Sequence, residues 1–387
     1  MDLSEILFHL GEDREKYFNA VATPVIQSSN FAFTDLNVFR SMLADELKGR
    51  IYSRGNNPTV EILRKKVAAL EGADDALVFA SGVAAVAAAV IGNVGAGDHI
   101  VCVKAPYSWT VALMRKFLTR FSVTTTFVDG TDLTAIENAI QENTKVLYLE
   151  SPNTLTFDIQ DLSACADIAK RHNLVSIIDN SHCSPLFQNP IKHGIDIVVH
   201  SATKYLNGHS DVVAGVLCGT SEMVKKIFDS EFMTIGAIIS PHDANLIIRG
   251  LRTLDLRVKR SDEGCKIIVD ALKKHPKVKK VYYALDEEAP QYLVAKKQMT
   301  GNGGLFSIET TAKTVEEAEA FFYALKRFTF AVSWGGHESL IFPTVSLYGI
   351  EGRQNPPIHF SFARFYIGLE DPQWLLADLE NALSVIG

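Results

Sequence analysis

The sequence predicts an α/β protein built on a mostly parallel central sheet, with a smaller α/β domain at the C-terminus. Two observations carry this. From about residue 51 to 240, short β-rich runs alternate with helical segments, the pattern of a parallel sheet covered on both faces. Past Pro241 the pattern changes to a long helical stretch and then to further strands and helices. With 387 residues and 47% hydrophobic content, the chain can bury the cores of two or three packed domains. Three parts are expected: an N-terminal arm at 1–48, a large α/β domain at 49–241 and a C-terminal α/β domain at 242–387.

Within the arm, extended and helical pieces are broken by Pro24 and the polar stretch Gln27–Asn30. The expected strands of the large domain are Ala76–Phe79, His99–Val103, Thr124–Val128, Val146–Glu150, Val175–Asp179, Ile195–His200 and Val212–Leu217. Helices at Val60–Leu70, Thr131–Glu142 and Leu162–His172 fall between several of them. The alanine-rich run Val83–Ile91, bracketed by Gly82 and Gly92, reads as a buried helix; a membrane span needs roughly 20 apolar residues. Beyond Pro241, one long helix is expected over Asp243–His275. It is followed by Gly304–Glu309, Val315–Arg327, a segment around Val332 and a closing helix at Asp371–Val385.

Composition narrows the function. A net charge of -7 with no basic stripe argues against nucleic acid as a partner. The five cysteines are scattered and form no CxxC pair, which argues against a disulfide scaffold or structural zinc and fits a reducing cytoplasm. Charges interrupt the N-terminus before any apolar core of signal-peptide length. Gly92-Asn-Val-Gly95-Ala-Gly97 has the wrong glycine spacing for a dinucleotide loop, and it follows a helix instead of a strand. No GxxxxGK loop or HExxH helix occurs. The eleven histidines show no ligand spacing, and His182-Cys183 has no matching pair, so no metal site is expected.

Four segments can carry chemistry. His200-Ser-Ala-Thr-Lys204-Tyr205 follows an apolar strand, and ligands of open α/β sheets bind outside the carboxyl ends of strands. A lysine in a dry crevice there can act as a neutral amine, and Ser201 and Thr203 offer hydroxyls to a phosphate. A solvated loop lysine is the ordinary alternative. Val175–Asp179 ends in a carboxylate, costly to bury without a cation or donor such as a protonated pyridine; alternatively, Asp179 caps a loop. Ser81, Gly82 and Val83 open the alanine-rich helix, where backbone N–H groups attract phosphate, though Ser-Gly is also a common turn. Tyr52-Ser-Arg54-Gly-Asn-Asn-Pro58 offers a guanidinium fork to an anion or, equally, an ordinary surface turn.

Together and in this order, these segments resemble the Cys/Met-metabolism family of pyridoxal-phosphate enzymes, which includes cystathionine β-lyases, γ-lyases and γ-synthases and methionine γ-lyases. The run Ser201-Ala-Thr-Lys204-Tyr-Leu-Asn-Gly-His-Ser-Asp-Val-Val-Ala-Gly215 is similar to that family's signature. Tyr52-Ser-Arg54, Phe79-Ala-Ser-Gly82, Asp179-Asn, Arg249-Gly-Leu-Arg-Thr-Leu254, Gly335-Gly-His-Glu-Ser-Leu340 and Ile367-Gly-Leu-Glu-Asp371 also match. The resemblance implies an aspartate-aminotransferase-like (fold type I) architecture, pyridoxal 5'-phosphate held covalently by Lys204, and a place in cysteine and methionine metabolism. It also implies a homotetramer of two tight dimers in which Tyr52 and Arg54 reach the phosphate of the neighbouring subunit's cofactor. Gly82, Ser201 and Thr203, with Ser81 and Val83, would hold the phosphate within the subunit. Tyr107 would stack on the ring, Asp179 would meet its nitrogen, and Arg364 would grip the substrate carboxylate beside Ser333 and Trp334, with Tyr52 also near the substrate. Lys204 would take the Cα proton, and Tyr107 or Lys204 would protonate the leaving sulfur.

Finer differences point within the family. Ser333-Trp334-Gly-Gly-His-Glu-Ser-Leu-Ile341 resembles the β-lyase form SWGGYESLI more than the γ-lyase form SLGGFES, and Glu150-Ser-Pro-Asn-Thr154-Leu155 resembles the β-lyase ESPGSI. Thr154 stands where γ-enzymes carry an asparagine near the cofactor. Val332 stands where γ-lyases carry a glutamate, and Trp109 would narrow the pocket against methionine. β-Elimination of cystathionine or a related cysteine S-conjugate is therefore the expected reaction. A γ-lyase or γ-synthase is the alternative, and a non-catalytic cofactor-binding protein is a third reading.

Overall fold

The computed structural model describes residues 1–350 and 358–387. Its central sheet has seven strands: β1 (Asp75–Phe79), β2 (His99–Val103), β3 (Thr124–Val128), β4 (Thr144–Glu150), β5 (Val175–Asp179), β6 (Ile197–Ser201) and β7 (Gly215–Gly219). They lie in the order β1-β7-β6-β5-β4-β2-β3. All pairs from β6 to β3 are parallel, while β7 runs antiparallel to both of its neighbours. The parallel strands are apolar on both faces because helices cover both sides, leaving two core clusters beneath and one above. The carboxyl ends of β4, β5 and β6 therefore open together onto one edge, carrying Glu150, Asp179 and Ser201.

A second sheet forms from β8 (Val278–Tyr282), β9 (Leu305–Thr310), β10 (Thr329–Phe330), β11 (Leu340–Pro343) and β12 (Phe362–Tyr366), in the order β10-β11-β12-β9-β8. The helices Leu254–Leu272, Val315–Ala324 and Pro372–Leu383 pack their apolar faces on it around Phe306, Phe321 and Phe365. Phe306 and Phe365 stack with ring centroids 5.1 Å apart.

Several elements differ from the sequence expectation. The long helix is two, Pro241–Leu251 and Leu254–Leu272, broken at Arg252–Thr253. Pro241 at the first turn and Ser240 as cap fix the start of the first helix. At the break, Thr253 leaves helical geometry (φ -115°, ψ 10°) and its hydroxyl bonds back to Gly250 O. Thr131–Glu142 shrinks to Leu133–Asn138, whose N-terminus is set by Asp132 accepting from Thr134 and Ala135 N–H. β7 starts at Gly215, not Val212, because Ala214 spends both backbone groups on the Thr203 hydroxyl. Val332 lies just past the two-residue strand β10 in irregular chain.

The first residues of the arm are tied down. Ile6 and Leu7, in helix Leu3–Phe8, sit in the main core. Beside them the fully buried Lys66 ammonium donates to Ile6 O (2.9 Å) and Leu7 O (3.1 Å) and pairs with Glu12 at 3.1 Å. Burial pulls the Lys66 amine below its usual range and the Glu12 carboxylate works against that pull. Removing one partner leaves an uncompensated buried charge. Glu12→Gln is expected to destabilise the fold by about 3 kcal/mol, read as an earlier urea midpoint, with Lys66→Met costing less because the Glu12 carboxylate then keeps Arg252 at 3.4 Å and Arg14 at 3.8 Å.

Candidate active site

The site forms where the two sheets meet. After β6 the chain turns tightly, with Lys204 N–H bonded to Ser201 O (3.1 Å) and Gly208 N–H to Lys204 O (2.7 Å). Arg257, on the helix Leu254–Leu272, donates two bonds of 3.1 Å to Tyr205 O and clamps this turn. From the other side Gly335, at φ 87°, lies on the backbone of Lys204: a Cβ there would stand 2.9 Å from Lys204 Cα. This close approach brings Ser333, two residues earlier in the chain, to the lysine. Lys204 Nζ donates to Ser333 Oγ at 2.5 Å. Ser333 sits at φ 78°, a left-handed conformation costly for a residue with a Cβ, and such strain persists where surrounding contacts over-determine it.

The charges around Lys204 set its proton. Burial, helped by the Arg364 guanidinium, pulls its amine down to about 8, and the Asp179 carboxylate partly offsets this. Asp179 accepts from Ser181 N–H (2.9 Å), and among the described residues no cation lies within ion-pair distance of it. Burial pushes its carboxyl up, against the pull of Ser181, His200 and Lys204. Arg364, from β12, has a single bond, 3.4 Å to Ser333 O, so most of its donors have no partner among the described residues.

Ser81 caps the helix Gly82–Ile91 by accepting from Ala84 N–H at 3.1 Å. Gly82 lets this helix start press on β6, where an added Cβ would stand 2.9 Å from Ser201 Cβ; Gly215 is likewise required under the Ser81 carbonyl. The leading N–H groups of Gly82 and Val83 thus lie beside Ser201, whose hydroxyl has no partner among the described residues. The Thr203 hydroxyl is otherwise engaged, donating to Ala214 O (3.2 Å) and accepting from Ala214 N–H (3.0 Å). A phosphate would have to compete for its proton.

Tyr107 leads into the helix Ser108–Ala112, with its phenol half exposed and shifted upward by burial and by Asp179. Trp334 is buried against the ring of Tyr205 (5.4 Å between centroids), and Lys204 Nζ stands 5.5 Å from its indole. The Thr154 N–H steadies the Glu150 carboxylate. The Trp109 indole is exposed, so within one chain it does not narrow the pocket. Tyr52 and Arg54 are both exposed on a turn whose Gly55 packs on Phe228 and Met233; they stack on each other at 5.5 Å and have no bond to Lys204, Asp179 or Arg364. A single chain does not bring them to the lysine.

Two residues of the site carry no expected role in the sequence analysis. Glu150, in register with Asp179, accepts from Tyr107 N–H at 2.7 Å; its position as the last residue of a central parallel strand was the available signal. His182 is buried between Phe157 and Trp334, held neutral with its value pulled down to about 4 by burial; nothing in its sequence context marks it.

The family model described as Cys/Met metabolism PLP-dependent enzyme matches residues 4–384. This chain belongs to that family. An L-methionine gamma-lyase of Fusobacterium nucleatum subsp. nucleatum is 40% identical, over 99% of this chain and 98% of that protein. A cystathionine beta-lyase of Coxiella burnetii is 36% identical, over 97% and 96%. The crystal structure of metB from Corynebacterium glutamicum superimposes with a TM-score of 0.91 at 34% identity, covering 99% of this chain and 98% of that one. The fold is that of the fold type I enzymes, and the family's cofactor is pyridoxal phosphate.

The residues present fit that cofactor. An amine of lowered basicity, a half-buried carboxylate without a cation and a helix start beside an unpartnered serine hydroxyl answer an aldehyde, a pyridine nitrogen and a phosphate. In cofactor-free protein, Lys204 is protonated below about pH 8 and nucleophilic above it. Labelling of Lys204 by an amine-reactive aryl sulfonate is therefore expected to rise with pH through a half-maximum near 8. Because the Asp179 carboxylate raises the lysine's value, Asp179→Asn is expected to move that half-maximum to lower pH. Peptide mass mapping across a pH series checks both.

Proposed function

We propose that this chain is a carbon–sulfur lyase that cleaves the Cβ–S bond of cystathionine or a related cysteine S-conjugate. The products are a thiol (homocysteine from cystathionine), pyruvate and ammonia. The lyase reading rests on the meeting of Lys204, Ser333, Asp179 and Arg364 at one strand edge in a Cys/Met-metabolism enzyme. The choice of Cβ–S is supported by the β-lyase-like run Ser333–Ile341. The exposed, apolar Val332 beside it also offers no carboxylate to a second ammonium group.

Pyridoxal phosphate, when bound, supplies a ring that draws electrons from the substrate's Cα. The chain's own groups then divide the work. Arg364, with unused donors, takes the α-carboxylate in a bidentate grip, and Ser333 holds the guanidinium and the lysine in one frame. Asp179 keeps a proton on the ring nitrogen. Lys204, a base balanced near neutral pH, takes the Cα proton, and Lys204 or Tyr107 returns a proton to the departing sulfur. Gly82, Val83 and Ser201, with Ser81 as cap and Thr203 beside them, hold the phosphate; Tyr107 and Thr154 border the ring.

The second reading, γ-elimination of methionine, is favoured by the 40% identity to the Fusobacterium enzyme and by the open position of Trp109. The two readings part at the product. Cystathionine is expected to give pyruvate, scored by keto-acid chromatography; 2-oxobutyrate without pyruvate overturns the β-lyase reading. Lys204→Ala is expected to lower kcat by roughly 10²–10⁴-fold or more.

We also infer a homotetramer of two tight dimers with shared sites. It is supported by the exposure of Tyr52 and Arg54, neither of which bonds Lys204, and by the apolar surface left at Phe18, Val21, Leu36 and Leu43. Refolding Arg54→Ala with Lys204→Ala subunits is expected to restore about a quarter of wild-type activity, since half the dimers would carry one intact site. No recovery rules out sharing.

A further inference from the structure

We propose that Glu150 is a positioning residue for Tyr107: its carboxylate, by accepting the Tyr107 N–H, holds the loop that aims the phenol into the lysine crevice. The inference rests on the reading of Lys204 as the cofactor lysine.

The geometry singles out this contact. Tyr107 stands between Pro106 and the five-residue helix Ser108–Ala112, and its side chain makes no capping bond. Its ring is 42% exposed, so packing within the chain does not fix it. The residue two positions earlier, Ala105, is at φ 52°, so the loop enters under strain. The Tyr107 carbonyl accepts only from its own helical turn, at Thr110 (2.9 Å) and Val111 (3.1 Å). Its N–H is bound from outside that turn by Glu150 Oε2 at 2.7 Å, at the short end for an N–H donor.

Glu150 is a rigid anchor. It ends β4, which is hydrogen-bonded on both sides, to β2 and β5, and only 6% of it is exposed. Its cost is plain: it is buried in register with a second carboxylate, Asp179, and both burial and that neighbour push its carboxyl well upward. Tyr107 N–H, Arg364 and Thr154 N–H act in the opposite direction. Of these groups the Tyr107 N–H is the one in hydrogen-bond contact, and none of the three belongs to a core cluster. A carboxylate retained for packing alone would need none of them.

Two conservative variants separate aim from charge. Glu150→Asp keeps the charge but withdraws the carboxylate by about 1.5 Å, out of hydrogen-bond reach. Glu150→Gln keeps the reach and drops the charge. In the holoenzyme, three readouts are compared: amide exchange of residues 104–112, visible circular dichroism of the lysine-bound cofactor, and kcat. E150D is expected to exchange faster, change the dichroism and lose more than about tenfold in kcat, because a displacement of this size misaligns reacting groups. E150Q is expected to stay within about threefold of wild type on all three readouts. On a Tyr107→Ala background E150D should cost less than about threefold, since the residue it positions is gone. The inference is overturned if E150Q falls as far as E150D, if E150D leaves exchange and dichroism unchanged, or if its loss persists undiminished without Tyr107. Should E150D not fold, E150Q decides alone: wild-type exchange and dichroism support the tie, and loss of both overturns it. A wild-type protein that forms no visible band with pyridoxal phosphate sinks the Lys204 reading itself. A normal band with the wrong order of variants sinks only the role of Glu150.

Discussion

A lysine amine kept out of water beside a serine hydroxyl is the interaction on which the site depends. The 2.5 Å contact between Lys204 and Ser333 joins the end of the parallel sheet to the connection between β10 and β11 of the second sheet. It exists only because Gly335 lets the two backbones touch and because Arg257 pins the turn from below. A side chain at position 335 would separate the amine from its partner, and Arg364 would lose its one bonded neighbour, the Ser333 carbonyl.

The local charges are balanced but unpaired. Two cations, Lys204 and Arg364, share the crevice with two carboxylates, Asp179 and Glu150, and no ion pair forms among the four. In a dry site such groups tune one another at a distance: the guanidinium weakens the lysine's hold on its proton while the Asp179 carboxylate strengthens it, and Glu150 acts likewise on Arg364. Charges without a counter-ion among the described residues, Arg364 and Asp179, are the ones able to take a ligand's carboxylate or ring nitrogen. Elsewhere among the described residues buried charges have close partners: Lys66 pairs with Glu12, Arg257 donates to the Tyr205 and Gly250 carbonyls, and Asp378 accepts from the Lys326 and Arg327 N–H groups.

Much of this was legible in the sequence because it is written in local pattern. Strand ends at Glu150 and Asp179, the helix after Gly82 and the lysine after an apolar strand all follow from periodicity and turn chemistry, and the ordered motifs led to the family that the whole-chain match shows. The misplaced boundaries have local causes that only side-chain bonds reveal: the break at Thr253 and the late start of β7 both come from a hydroxyl taking backbone partners.

The roles of Glu150 and His182 were not legible because residue type and spacing do not say which way a side chain faces or what it meets. The choice between Cβ–S and Cγ–S cleavage stays with small differences at Thr154, Val332 and Trp109, where no single spacing decides. By itself the sequence determined the order of elements, the lysine at a strand end and the family, since each depends on neighbours along the chain. Only the tertiary structure decided that Ser333, about 130 residues away, bonds that lysine, that Arg364 bonds the Ser333 carbonyl, that Glu150 accepts from the Tyr107 N–H, and that Tyr52 and Arg54 are exposed with no bond to the site. Those facts depend on how two sheets pack, and close packing is set by the whole set of buried shapes and not by any one stretch of sequence.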